Sequence, residues 1–185
     1  WNASFPNSRS TPTIEDERLY VSSGFGDLAC VNAINGEIIW QVNASEKFGG
    51  PYGRWGIAES LLIQDEKLFF TCGGEKTTMV ALDKMTGETI WMSETLKDNP
   101  AYSSAIYIEN EEAKQIVNVT ENYIIGVNPE TGEITWKFSF GAFAGMPYLA
   151  NINCNMPTYK LAGILLNMEL KGVVRPLPGK LFEVI

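Results

Sequence analysis

An eleven-residue unit returns three times in this chain, as CVNAINGEIIW at 30–40, ALDKMTGETIW at 81–91 and GVNPETGEITW at 126–136. Its closing tryptophans, Trp40, Trp91 and Trp136, stand 51 and then 45 residues apart. Self-similarity at such a period constrains a fold more tightly than local propensity does. Each unit opens on a small residue (Cys30, Ala81, Gly126), then an apolar one, then a short side-chain acceptor (Asn32, Asp83, Asn128). Asn35, Thr86 or Thr131 then precedes Gly36, Gly87 or Gly132. An acceptor that bonds turn amides, a glycine free to take positive φ and a β-branched run toward the tryptophan together spell a β-hairpin.

Two further apolar runs precede every unit. RLYVSS at 18–23, KLFFTC at 67–72 and KQIVNV at 114–119 come directly before it, and STPTIE at 10–15, WGIAESLLI at 55–63 and YSSAIYIE at 102–109 come before those. Each repeat therefore holds four short strands, A to D, and no helix. Four antiparallel strands in 45 to 51 residues is the period of a propeller blade. The predicted class is all-β, a β-propeller of four-stranded antiparallel blades; a two-sheet sandwich would not require one motif three times. A fourth copy is degenerate: NMPTYK at 155–160 reads as strand A, AGILLNM at 162–168 as strand B, and GVVRPLPGKLFEVI at 172–185 as a hairpin around Gly179. The chain thus reads as a single propeller segment, 1–185, of about four blades at roughly 2–40, 41–91, 92–136 and 137–185.

Composition narrows the function classes. With 45% hydrophobic and 19% charged residues the chain can build a core, and its net charge of -8 without basic clusters opposes nucleic acid and anionic membrane surfaces. No run approaches the ~20 apolar residues of a transmembrane helix, and WNASFPNSRS lacks the basic and apolar regions of a signal peptide. The absence of histidine removes Ser/His/Asp and Cys/His nucleophile arrangements and His-ligated zinc. Cys30, Cys72 and Cys154, widely spaced and without CxxC, read as small buried thiols. NVT at 118–120 matches a glycosylation acceptor but falls inside a predicted strand.

The units ALDKMTGETIW and GVNPETGEITW resemble the tryptophan-docking motif of the pyrroloquinoline quinone (PQQ) type β-propellers. That family includes quinoprotein alcohol dehydrogenases and the outer-membrane assembly lipoprotein of Gram-negative bacteria. The resemblance implies that Trp40, Trp91 and Trp136 pack between neighbouring blades, with Cys30, Ala81 and Gly126 making room for them. Each such aromatic contributes on the order of 2–3 kcal/mol. It implies a ring of seven or eight blades, of which this chain supplies about half. Either two chains complete one ring as a homodimer, or the chain is a segment of a longer polypeptide, and ends that fall at repeat junctions favour the segment. It also implies a bacterial protein exported to the periplasm or the cell surface.

In a four-stranded meander the D-to-A and B-to-C connections share one face. Here these are the long, glycine- and aromatic-rich ones: 43–55, 97–102 and 139–155, with SGFGD and GGEKTT between strands B and C. Such loops are what a binding face needs. Tyr52, Arg54, Trp55 and Glu59 stand at the entry to an innermost strand, and Asn153 stands on another rim loop. Arg54 suits a carboxylate, Trp55 a planar ring and Glu59 a hard cation such as calcium. Alternatively, Arg54 and Glu59 pair with each other and Trp55 plugs the channel. Quinoprotein enzymes hold PQQ above calcium, and the resemblance leaves Glu59 with Asn151, Asn153 or Asn155 as matching ligands by position. The sequence has no adjacent cysteine pair, no haem-attachment motif and no Asp placed as a catalytic base. The function expected is a non-catalytic module that binds a protein, glycan or small molecule at the loop rim. The alternatives are a PQQ- and calcium-dependent alcohol or sugar dehydrogenase, and an envelope assembly scaffold that docks extended peptides on an edge or rim strand.

Overall fold

Each of the three complete repeats becomes one four-stranded antiparallel sheet with its strands side by side in chain order. The first blade is β1 (Thr13–Glu15), β2 (Arg18–Ser22), β3 (Asp27–Asn32) and β4 (Ile38–Asn43). The second is β5 (Leu62–Gln64), β6 (Lys67–Phe70), β7 (Val80–Asp83) and β8 (Thr89–Met92). The third is β9 (Ile106–Glu109), β10 (Lys114–Val119), β11 (Tyr123–Val127) and β12 (Ile134–Ser139). This computed structural model describes residues 9–53, 56–111, 113–139, 174–177 and 181–184. The chain divides into two compact units, Trp1–Lys137 and Phe138–Ile185. In the second unit β13 (Val174–Leu177) and β14 (Leu181–Val184) pair as an antiparallel hairpin, where a hairpin around Gly179 was expected. The strands A and B predicted for the fourth blade lie outside the described residues.

Blade two shows why the repeats hold together. Its strands are apolar on both faces: Leu68 and Phe70 join Tyr20, Leu28 and Trp40 in a core with the first blade. The intervening Phe69, with Met79 and Ala81, joins Ile116, Ile125 and Val127 in a core with the third. The two-residue alternation of a strand therefore feeds two separate cores, which is why KLFFTC reads as a continuous apolar run. Burying side chains such as Phe69 and Phe70 removes apolar surface worth about 2–3 kcal/mol each.

The structure departs from the sequence reading in two places. Strand A is shorter than its predicted run in every blade, at 3, 3 and 4 residues, and polar groups in and before it also bond to the neighbouring blade. The Thr11 N–H donates to Ser60 Oγ (2.8 Å), Thr13 Oγ1 to the Leu61 carbonyl (2.5 Å) and the Ser60 N–H to Ser104 Oγ (2.9 Å). A one-turn helix, α1 (Ala44–Phe48), also forms where a loop was expected. Asn43 caps it by accepting from the Glu46 N–H, left-handed Gly49 ends it, and Ala44 and Phe48 are buried beneath it.

The repeated hairpin follows the predicted chemistry. Asn32 Oδ1 accepts from the amides of Ile34 and Asn35, Asp83 Oδ1 from those of Met85 and Thr86, and Asn128 Oδ1 from those of Glu130 and Thr131. Gly36, Gly87 and Gly132 follow at φ of 77°, 74° and 74°. Trp40 faces Cys30 across the sheet and Trp91 faces Ala81, each beside a register shift. Both indoles then reach the next blade: Trp40 Nε1 donates to the Lys84 carbonyl (2.9 Å) and Trp91 Nε1 to the Pro129 carbonyl (3.0 Å). Their rings lie against the turn glycines, so that a Cβ on Gly87 would stand 2.8 Å from Trp40 and one on Gly132 2.4 Å from Trp91. Trp136 behaves differently. It is 41% exposed, lies over Gly126 of its own blade and donates to Gln115 Oε1 (2.5 Å).

These glycines make a graded test. Gly36 has open space where a Cβ would project, so Gly36→Ala costs only the left-handed backbone, about 1–2 kcal/mol. Gly132→Ala carries the same strain and must also displace Trp91, adding about 1–3 kcal/mol. Urea unfolding of the two variants should show the second losing clearly more stability; equal losses would mean that the tryptophan contact carries no weight.

Candidate functional site

The predicted rim is built from loops keyed together through glycine backbones. A Cβ on Gly50 would stand 2.1 Å from the Cys72 carbonyl oxygen, and one on Gly73 2.2 Å from Pro100. The Gly74 N–H donates to the Asp98 carbonyl (3.1 Å). The Asp98 carboxylate in turn accepts from Thr120 Oγ1 (2.5 Å), the Asn122 N–H (2.9 Å) and Asn122 Nδ2 (2.6 Å). On the first blade, Asn43 Nδ2 donates to Asp27 Oδ1 (2.9 Å) while capping α1. Loops from three blades are thereby fixed to one another.

Aromatic side chains stand on this rigid base. Phe25 and Tyr52 meet edge to face, ring centroids 5.5 Å apart at 80°, and each is about half exposed. Tyr102 is 57% exposed, and its hydroxyl lies 3.8 Å from where a Cβ on Gly53 would be. Of the residues singled out in the sequence, Tyr52 thus lies on the rim surface. Arg54, Trp55 and Asn153 lie outside the described residues.

Glu59 is buried, at 2% exposure, among donors. Its Oε2 accepts from the Thr71 N–H (2.9 Å), and its Oε1 accepts from Thr71 Oγ1 (3.0 Å) and Asn118 Nδ2 (3.2 Å). Asn118 Nδ2 also reaches Thr71 Oγ1 (2.6 Å), and Ser22 Oγ donates to the Glu59 backbone carbonyl (2.7 Å). Ser22, Thr71 and Asn118 belong to blades one, two and three, so one residue ties three blades. Asn118, Thr71 and Ser22 escaped the sequence reading, yet a signal for them existed. Counting from the basic residue that opens each strand B (Arg18, Lys67, Lys114), the fifth position is Ser22, Thr71 and Asn118, a polar residue inside an apolar run.

Burial pushes the Glu59 carboxyl up to about 8, against hydrogen bonds from Thr71 and the Ala105 backbone that pull it down. Beneath it the free, buried Cys72 thiol is pushed up to about 12, by its own burial and then by the Glu59 carboxyl, which leaves it inert. Cys30 is likewise free and buried, and Cys154 lies outside the described residues. Calcium takes six to eight oxygen ligands. Both Glu59 oxygens already accept from donors, and among the described residues no three His, Cys, Asp or Glu side chains gather at a metal-binding distance. The described residues around Glu59 thus satisfy its carboxyl with protein donors and gather no set of calcium ligands, and the companion ligands expected at Asn151, Asn153 or Asn155 lie outside the described residues.

Blades of this geometry, joined by tryptophans on glycine turns, define a propeller of the PQQ-type repeat class. A family model described as "Outer membrane protein assembly factor BamB" matches residues 1–151, and the chain belongs to that family. Outer membrane protein assembly factor BamB of Kangiella koreensis is 27% identical over 127 residues, 67% of this chain and 28% of the relative. Among solved structures, BamB from Moraxella catarrhalis aligns with a TM-score of 0.52 at 18% identity, covering 71% of this chain and 37% of that one. Quinohemoprotein alcohol dehydrogenase from Comamonas testosteroni aligns at 0.51 and 20%, covering 72% and 21%. The chain thus spans between a fifth and two fifths of the length of these proteins, and the structural likenesses show the fold. Among the described residues no helix is long and apolar enough to cross a membrane.

The buried carboxyl makes stability depend on pH in a set direction. In the folded chain Glu59 keeps its proton up to about 8, whereas an unfolded carboxyl releases it near 4.5. Across that window the folded state binds the extra proton, so stability falls as pH rises, by on the order of 1 kcal/mol per pH unit. Glu59→Gln cannot titrate and should flatten this slope. Urea midpoints measured at several pH values between about 5 and 8 check it; an unchanged slope in the variant would assign the dependence to another group.

Proposed function

We propose that this segment is a non-catalytic recognition module of the assembly-factor type, working in the bacterial periplasm or at the cell surface and taking a protein partner on its loop rim. The observation that carries this reading is the exposed pair Phe25–Tyr52, with Tyr102, standing on loops locked by glycine contacts. Rigid, half-exposed aromatics offer large contact area at little entropic cost, which is what the central anchors of protein interfaces use. Kinship with an assembly factor, whose name describes work on other proteins, points the same way.

On this reading Arg54, Trp55 and Asn153 extend the same rim, and the blades run at roughly 2–40, 41–91, 92–136 and 137–185. Trp40, Trp91 and Trp136 are docking-motif tryptophans of a larger ring, completed by further blades of a longer chain or by a second copy. Glu59 is the knot that holds three blades in register beneath the rim rather than a ligand to calcium. The dehydrogenase alternative rests on structural likeness alone, and the occupied oxygens of Glu59 weigh against it.

Photo-crosslinking in cells separates the readings. A photoreactive phenylalanine analogue replacing Tyr52 or Tyr102 should capture a discrete protein, whereas the same analogue replacing Ile34, 79% exposed on a C-to-D turn, should not. Capture at Ile34 but at neither tyrosine would overturn the rim assignment. A melting temperature raised by several degrees with saturating quinone and calcium would favour the enzyme instead.

A further inference from the structure

We infer that the outer edge of β8 is a docking strip for an extended peptide carrying lysine or arginine, which adds to the second blade as a fifth strand. β8 is the last strand of its sheet. The Ser93 N–H donates to the Met79 carbonyl (2.9 Å) while the Met79 N–H goes to Ser93 Oγ (2.9 Å), so Met79 and Ser93 occupy a hydrogen-bonded position of the ladder through one main-chain bond. In an antiparallel ladder such pairs alternate with non-bonded ones. The next pair, Val80 with Met92, is therefore non-bonded, and the Met92 N–H and C=O point away from β7 toward the open side.

Beside that edge lies an open groove of about 720 Å³. β8 walls it with Ile90, Trp91 and Met92, and the third blade's C-to-D turn walls it with Thr131 and Glu133. Natural edge strands are commonly blunted by lysine, proline or an inward charge. β12 carries Lys137, but TIWM at 89–92 carries no charge and no proline, and Ile90 is 45% exposed. The charged residues lining the groove are Glu94 and Glu133, with no lysine or arginine among them, on a chain of net charge -8. An added strand alternates its side chains between two faces. Those on the groove side meet Glu94 and Glu133 and call for cations, with the exposed Ile90 in the same wall taking the apolar stems of lysine or arginine. Main-chain hydrogen bonds to Met92 give affinity and the two glutamates give selectivity.

The probe is a short synthetic peptide of alternating lysine and valine, with three counterparts: glutamate for lysine, N-methylation of the backbone amides along one edge, and a second such peptide with the opposite edge methylated. Binding is followed by intrinsic fluorescence, and the site by amide hydrogen exchange. The lysine peptide should slow exchange at Met92 about tenfold or more, bind about tenfold more tightly than the glutamate peptide, and lose binding when one of the two edges is methylated. The exposed-site variant E94K/E133K should reverse the preference while keeping its circular dichroism and melting temperature. Unchanged exchange at Met92 under saturating peptide, full binding by both methylated peptides, or an unaltered preference in E94K/E133K would each overturn the assignment. A peptide that does not bind at all would overturn it too.

Discussion

The contact on which the rest depends is an indole laid on a glycine turn of the next blade. A blade has two apolar faces and cannot bury either alone, so neighbouring blades must meet at a defined spacing and rotation. Trp40 and Trp91 set both. Each takes a hydrogen bond to a carbonyl of the following turn and a ring contact that leaves no volume for a Cβ. Because the acceptor is a backbone carbonyl held by the turn itself, the contact fixes position as well as contributing apolar area. Two small salt bridges, Glu15–Lys84 and Lys67–Glu130, span the same two joints at 2.8 Å; partly exposed, they add little beyond register.

Each joint is also held at its other end, by a different chemistry. Across the first, Ser22 donates to the Glu59 carbonyl and Thr11 to Ser60; across the second, Asn118 reaches Glu59 and Ser60 reaches Ser104. An apolar core lies between the two ends. Polar groups buried without partners are costly, so a carboxyl met by Thr71 and Asn118 in one geometry penalises any other register of the third blade. Glu59 therefore acts through specificity more than through net stability, since its own burial is unfavourable to its charge.

Much of this was legible in the sequence, and the limits are physical. The hairpin chemistry, with its acceptor, glycine and tryptophan, is local, so it could be read from spacing and appears in all three copies. The extent of strand A was not legible, because 56–61 bonds to both neighbouring blades, the Ile57 N–H to the Gly24 carbonyl and the Ser60 N–H to Ser104 Oγ, and such partners are far apart in sequence. Helix α1 escaped because a single turn carries no periodicity; its signals were the cap Asn43 and the stop Gly49. Glu59 was placed at the entry to an innermost strand, as a cation ligand or a partner of Arg54, but its burial among donors was not legible. Its burial comes from Thr71 and Asn118, and only an alignment of the fifth position of every strand B shows polar residues converging on it.

The division of labour within the blade follows from these constraints. The far end of each strand B is committed to the Glu59 knot and the C-to-D turns receive the tryptophans, so neither can vary without loosening a joint. Among the described residues two sets of groups lie outside these contacts: the aromatic side chains of the rim loops, whose backbones are glycine-locked, and the outer edge of strand D. The rim's rigidity comes from backbone contacts at Gly50, Gly73 and Gly74, so the half-exposed side chains of Phe25, Tyr52 and Tyr102 are carried on a fixed base. The edge is free because closure of the blade's own ladder ends at β8, whose outward backbone groups have no partner within the sheet. The repeat thus leaves these positions unconstrained, so one joint geometry can be kept while loop and edge side chains vary.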